Sequence, residues 1–212
     1  LRKLLLLAVV VGLLAAADLG VRSVAESQLR DRVAASVQSA GPTTVRIESF
    51  PFLGRLLTSG GVPRIRISVA DITAERLTFA RVSLDLEDVT FDRSRLLSQR
   101  QVVLQSLRRG TVVAEVTQDR LSGLLGVPVT LERGRVRVRV AGQVFTAAAS
   151  VTDNTLRVTV AGLSLPALRI PRIGLLPCVA DAEIVAGLLR LSCQVDKLPT
   201  ELLGRPLDAV KP

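Results

Sequence analysis

The apolar residues of this chain change their period once, at Gly41-Pro42. Ahead of that pair Val21, Ala25, Leu29, Val33 and Val37 recur every fourth residue, the spacing of one helical face. Arg22, Glu26, Arg30 and Asp31 fall mainly off that stripe, so a helix is expected over 19–40, stopped by Gly41-Pro42. Behind the pair the period is two. Thr43–Ser49 alternates through Val45 and Ile47, and Arg64–Val69, Val82–Leu86 and Arg135–Val140 do the same. Val102–Thr117, Gln143–Val151 and Leu156–Val160 are also β-prone, the last two joined by a turn at Asp153-Asn154. Val179–Val185 and Leu188–Val195 read as a hairpin around Gly187. Short helices fit Gly54–Leu57, Asp92–Gln99 and Asp119–Leu125, while Gly162–Pro177 is Pro-rich and irregular.

One helix followed by about eight to ten strands, with no strand–helix–strand alternation, excludes a parallel α/β fold. The expected class is α+β, mainly β: a curved antiparallel sheet or half-barrel wrapped around the long N-terminal amphipathic helix. Its outer face carries the arginines and its inner face is aliphatic. An inner face that one helix cannot fully cover leaves an elongated apolar groove.

The N-terminus sets the compartment. Arg2-Lys3 precede Leu4–Ala17, fourteen residues without a polar side chain, and Asp18 ends the run. A basic start, an apolar stretch and the small residues Ala15-Ala16-Ala17 have the layout of a signal sequence. The run is shorter than the ~20 residues of a comfortable membrane span. Residues 1–17 are therefore expected either to be cleaved after Ala17 or to stay as a signal anchor. Residues 18–200 then form one β-rich domain and 201–212 a C-terminal tail. In both cases the domain is exported to the periplasm or cell envelope, on the outer side of the cytoplasmic membrane. Cys178 and Cys193, the only cysteines, lie near the open end of the expected hairpin. In an exported chain such a pair reads as a disulfide.

Composition removes most chemistry. The chain has no His, Met, Trp or Tyr, and its five aromatics are Phe50, Phe52, Phe79, Phe91 and Phe145. Without His there is no Ser–His or Cys–His dyad, and two cysteines cannot supply a zinc site. There is no phosphate-binding Gly-Lys pair. Paired carboxylates at Asp85/Glu87/Asp88 and Asp181/Glu183 alternate with apolar residues and so belong to a solvated strand face. A Ser–Lys dyad would have to use Lys197, whose neighbours do not resemble a nucleophile elbow. No catalytic residue, metal or cofactor is expected. The net charge of +9 suits anionic lipid headgroups. Nucleic acid is disfavoured by the export signal and by the scarcity of aromatics. Arg137 and Arg139, with Arg135, form a one-sided basic stripe: an ordinary solvated strand face, or a contact for headgroups at a membrane surface.

Ser49-Phe50-Pro51-Phe52-Leu53, followed by Leu56-Leu57, places two of the five aromatics in one turn. It is either a corner plug or the mouth of a lipid groove. The candidate lipid-contacting residues are Phe50, Phe52, Leu53, Leu56, Phe79 and Phe91. This segment, together with Val69-Ala70-Asp71-Ile72-Thr73 and Leu84-Asp85-Leu86-Glu87-Asp88-Val89, resembles the LmeA-like family of actinobacterial cell-envelope lipid-binding proteins. The resemblance spans roughly residues 20–198. It implies a tubular lipid-binding fold of the bactericidal/permeability-increasing type, in which a curved sheet wraps a long helix around an apolar cavity. It further implies phospholipid or glycolipid partners, phosphoinositides included, and a role in envelope glycolipid assembly. The chain departs from the family pattern in the Pro-rich Gly162–Pro177 stretch and in the Cys178/Cys193 pair. The competing expectations are a structural envelope protein with a fully packed core and, last, a hydrolase using carboxylates alone.

Overall fold

Leu, Ala and Val dominate the first seventeen residues without a proline, so nothing ends a helix there. In the structure, a computed structural model, the leader-like run and the amphipathic stretch form one helix, α1 (Arg2–Ser36). The structure describes residues 2–36, 39–74, 77–99, 101–152, 155–160, 163–164, 168–169 and 181–195. Val37, Cys178, Lys197, the Asp153-Asn154 turn, most of Gly162–Pro177 and the 201–212 tail lie outside them. Among the described residues no helix is long and apolar enough to cross a membrane.

Behind α1 the chain is mainly β, a curved antiparallel sheet not closed into a barrel. The first sheet holds β1 (Thr43–Glu48), β2 (Gly61–Ala74), β3 (Leu77–Phe91), β4 (Leu104–Ser106), β5 (Arg109–Thr117), β12 (Asp181–Val185) and β13 (Leu188–Val195). Its order is β1-β2-β3-β5-β13-β12, with β4 alongside β3. The second holds β6 (Val129–Glu132), β7 (Arg135–Val140), β8 (Gln143–Thr152), β9 (Thr155–Val160), β10 (Leu163–Ser164) and β11 (Leu168–Arg169), in the order β10-β9-β8-β7-β6 with β11 on β9. Two backbone bonds tack it to the β12–β13 hairpin: Gly134 N–H donates to the Ile184 carbonyl and Gly187 N–H to the Leu131 carbonyl, each at 2.9 Å. Thirteen strands are described where eight to ten were expected, and β4, β10 and β11 are too short to leave an alternating signature. Three short helices fill connections: α2 (Phe52–Ser59), α3 (Arg93–Gln99) and α4 (Gln118–Leu125).

The curvature has a local cause. The buried residues of β2 are Val62, Ile65, Val69 and Ile72, so the period of two slips by one residue twice. β3 slips opposite, between Phe79 and Val82 and between Leu86 and Val89. The ladder skips Asp71 and Asp88, which take left-handed φ values of 51° and 49°. Aspartate tolerates that region better than most residues. Each slip moves the following side chains to the other face of the strand, so the sheet must bend there to keep its apolar face inward. Both aspartates lie within the segments that carry the family resemblance.

Two cores result. One joins both sheets and α4, with Phe79, Ala114 and Val138 completely buried and Leu121 and Leu125 packed among them. The other lies beneath α1 and α2 and is centred on Ile47, Phe52, Val62, Ile65, Val89 and Leu104.

Candidate functional site

The second core is the more open one. Around its buried centre stand half-buried Ala25 and Leu29 of α1, Leu53 and Leu56 of α2, and Leu86, Phe91 and Leu107. Helix α2 is amphipathic over barely two turns, so Phe52, Leu53 and Leu56 face the sheet while Arg55 and Leu57 face water. Its C-terminus is set by Gly60 at φ 68°, whose N–H returns to the Leu56 carbonyl at 3.0 Å. Only glycine fits, because a Cβ there would lie 2.5 Å from the Phe91 carbonyl oxygen. Phe91 N–H in turn donates to the Gly60 carbonyl at 2.9 Å, fixing Phe91 beside α2.

The N-terminus of α2 is closed from a distance. Pro51 at the cap position offers no side-chain acceptor. Asp18 of α1 supplies it: Oδ2 accepts from Phe52 N–H at 2.9 Å and Oδ1 from Leu53 N–H at 2.6 Å. Asp18 is 4% exposed. A carboxylate at the first free N–H groups of a helix also meets its positive dipole end. Two turns further along α1, Glu26 Oε1 accepts from Ile47 N–H at 2.7 Å, and Arg22 Nε from the same helix donates to that oxygen at 3.1 Å. Glu26 thereby covers part of the open edge of β1.

Of the six candidate lipid-contacting residues, Phe52, Leu53, Leu56 and Phe91 share this cluster. Phe79 does not: it is fully buried in the core joining the two sheets. Phe50 points to solvent, 65% exposed. Arg137 and Arg139 are both exposed on β7 of the second sheet. They line a shallow depression of about 200 Å³ with Pro128, Thr130, Glu132, Val138 and Val144. Arg137 also pairs with Glu132 at 3.0 Å. Cys193 is buried on β13, while its expected partner Cys178 lies outside the described residues.

The carboxylates set aside as a solvated face lie in an ion-pair ladder. Arg64 bridges Asp85 and Glu87, Arg66 bridges Glu48 and Asp85, and Arg108 bridges Glu87 and Asp88. The hydrogen bond that Arg64 donates to the Asp85 carboxylate, more than any other contact, raises the Arg64 pKa above its ordinary value. Glu183 faces Arg190 across the terminal hairpin.

Asp18 and Glu26 escaped the sequence reading, which took the first as the end of a leader and the second as off the packed stripe. The signal was present. Asp18, Arg22, Glu26, Leu29 and Val33 share one helical face once the two stretches are drawn as a single helix. Val21, counted on the apolar stripe, is instead 43% exposed.

The profile of a family described as LmeA-like phospholipid-binding matches residues 16–211, more than nine-tenths of the chain. No curated protein and no solved structure matches it.

Proposed function

The chain belongs to the LmeA-like phospholipid-binding family, and on that premise we propose that it holds a phospholipid acyl chain in the seam between α1, α2 and the first sheet. The observation that carries this reading is the half-open apolar rim of Leu29, Leu53, Leu56 and Phe91 around the second core. An acyl chain asks nothing of a protein but aliphatic surface, and each buried methylene contributes about 0.8 kcal/mol. Export to the cell envelope belongs to the same proposal, as do phosphoinositide headgroups and a part in glycolipid assembly. Arg137 and Arg139 are the proposed headgroup contacts. The Cys178–Cys193 disulfide is proposed too, and the unreduced, denatured native protein should then show no titratable thiol.

Organic extraction of the purified protein followed by mass spectrometry tests the central claim, and phospholipid is the expected product. Leu56→Asp should abolish uptake of labelled phospholipid while circular dichroism stays unchanged, because a charge in the seam must be desolvated. If neither the wild type nor this variant takes up lipid, the seam is packed core and the structural reading replaces this one.

A further inference from the structure

The outer side of α2 exposes large apolar side chains. Phe50 is 65% and Leu57 48% exposed, one at each end of the helix. The carboxylate of Asp18 on the Phe52 and Leu53 amides brings α1 to the same place. There α1 continues the apolar surface, with Leu14 66% and Leu19 55% exposed on either side of Asp18. The charge carried by the short helices at this end is basic. Neither α2 nor α3 contains a carboxylate, and together they expose Arg55, Arg93 and Arg95. Of the nearest acids, Asp18 is buried against α2, Glu48 is paired with Arg66 and Asp92 is paired with Arg95. Arg93 donates to the Leu57 and Thr58 carbonyls at the α2 C-terminus, which holds its guanidinium next to exposed Leu57.

Large apolar side chains interleaved with Arg55 and Arg93 match the interfacial zone of an anionic bilayer, where acyl chains meet acidic headgroups. A second copy of this chain would bring like charges together, and a soluble acidic polymer would leave Phe50 and Leu57 in water. We propose that this tip, formed by Phe50, Leu57, Arg55 and Arg93 beside the apolar run of α1, is the surface that seats on an anionic phospholipid bilayer. Leu53 and Leu56 lie directly behind it on α2, so a seated tip sets the lipid seam against the membrane. That consequence rests on the lipid-holding reading; the seating itself does not.

The absence of tryptophan from the chain makes the test direct. Phe50→Trp, Leu57→Trp and Thr73→Trp each give a single reporter in the intact chain. Thr73 serves as the control because it is exposed but lies at the end of β2 remote from α2, in a different sheet from Arg137 and Arg139. The probes are vesicles of equal parts phosphatidylcholine and phosphatidylglycerol, and vesicles of phosphatidylcholine alone. The two tip reporters should shift their emission to shorter wavelength and become shielded from aqueous iodide on the anionic vesicles. The Thr73 reporter should stay in water. Arg55→Ala in the Phe50→Trp background should weaken seating about fivefold at low salt, and raised salt should do the same. Tip reporters that remain in water while the N-terminal segment holds the chain on the vesicle would overturn the proposal. So would three reporters that shift alike, or tip reporters indifferent to lipid charge. Extraction distinguishes the two readings: a chain that carries lipid but keeps its tip in water refutes seating alone, and one that seats without carrying lipid refutes the seam alone.

Discussion

Asp18 is the residue through which the N-terminal helix and the first short connection become one structure. Its two oxygens take the first two free amides of α2, and burial leaves water unable to replace them. Replacing it by Ala leaves both amides without an acceptor. A helix cap is worth ~1 kcal/mol and a hydrogen bond to a charged group about 1.5–3 kcal/mol, so Asp18→Ala should destabilise the fold by about 2 kcal/mol. Urea unfolding should show a lower midpoint at unchanged slope. Asp18→Asn keeps one acceptor and should lose less. Equal stability of all three proteins would mean that α1 does not hold α2 through this contact.

At the scale of elements, the legible ones carry their own boundary signals. β1 and β7 alternate strictly, and Asp92 opens α3 by accepting from Arg95 N–H at 3.1 Å. The Gly187 hairpin also forms where its turn residue marks it, at φ 77°. What was hidden is longer-range. β2 and β3 extend beyond their alternating centres because the burial period of each slips twice while their pairing register holds, and a slipped pattern reads as a strand end. Alternation likewise does not say which sheet a strand joins, so the second sheet was not separable from the first. In the site, the Phe52–Leu56 cluster was legible from its aromatic turn, whereas Asp18 was masked by its resemblance to the end of a leader. The slips are testable at Asp88, whose left-handed φ a β-branched residue adopts at a cost of ~1–2 kcal/mol. Asp88→Val should therefore unfold at lower urea than Asp88→Gly, although both lose the exposed pair with Arg108. Identical midpoints would remove the kink as the source of curvature.

For the whole molecule, the two cores divide stability from binding. The core joining the sheets has the larger fully buried centre, although half-buried residues such as Val33 and Ile184 rim it too: Phe79 is 0% exposed and paired across the ladder with Ile72, itself 1% exposed. The core under α1 and α2 ends in half-buried side chains, as a surface does when it accepts a ligand. Phe79→Ala should then cost ~3–5 kcal/mol, the range for an aromatic cavity in a packed interior. Leu56→Ala removes apolar surface already partly in water and should cost roughly 1 kcal/mol. Phospholipid should raise the urea midpoint of the wild type, because a ligand bound only by the folded state stabilises it by mass action. It should do so for a refoldable Phe79 variant such as Phe79→Leu and fail to do so for Leu56→Asp. If instead Leu56→Ala costs as much as Phe79→Ala, both cores are closed. The rim around Leu53, Leu56 and Phe91 would then be packing alone, and the acyl chain would have to lie elsewhere on the molecule.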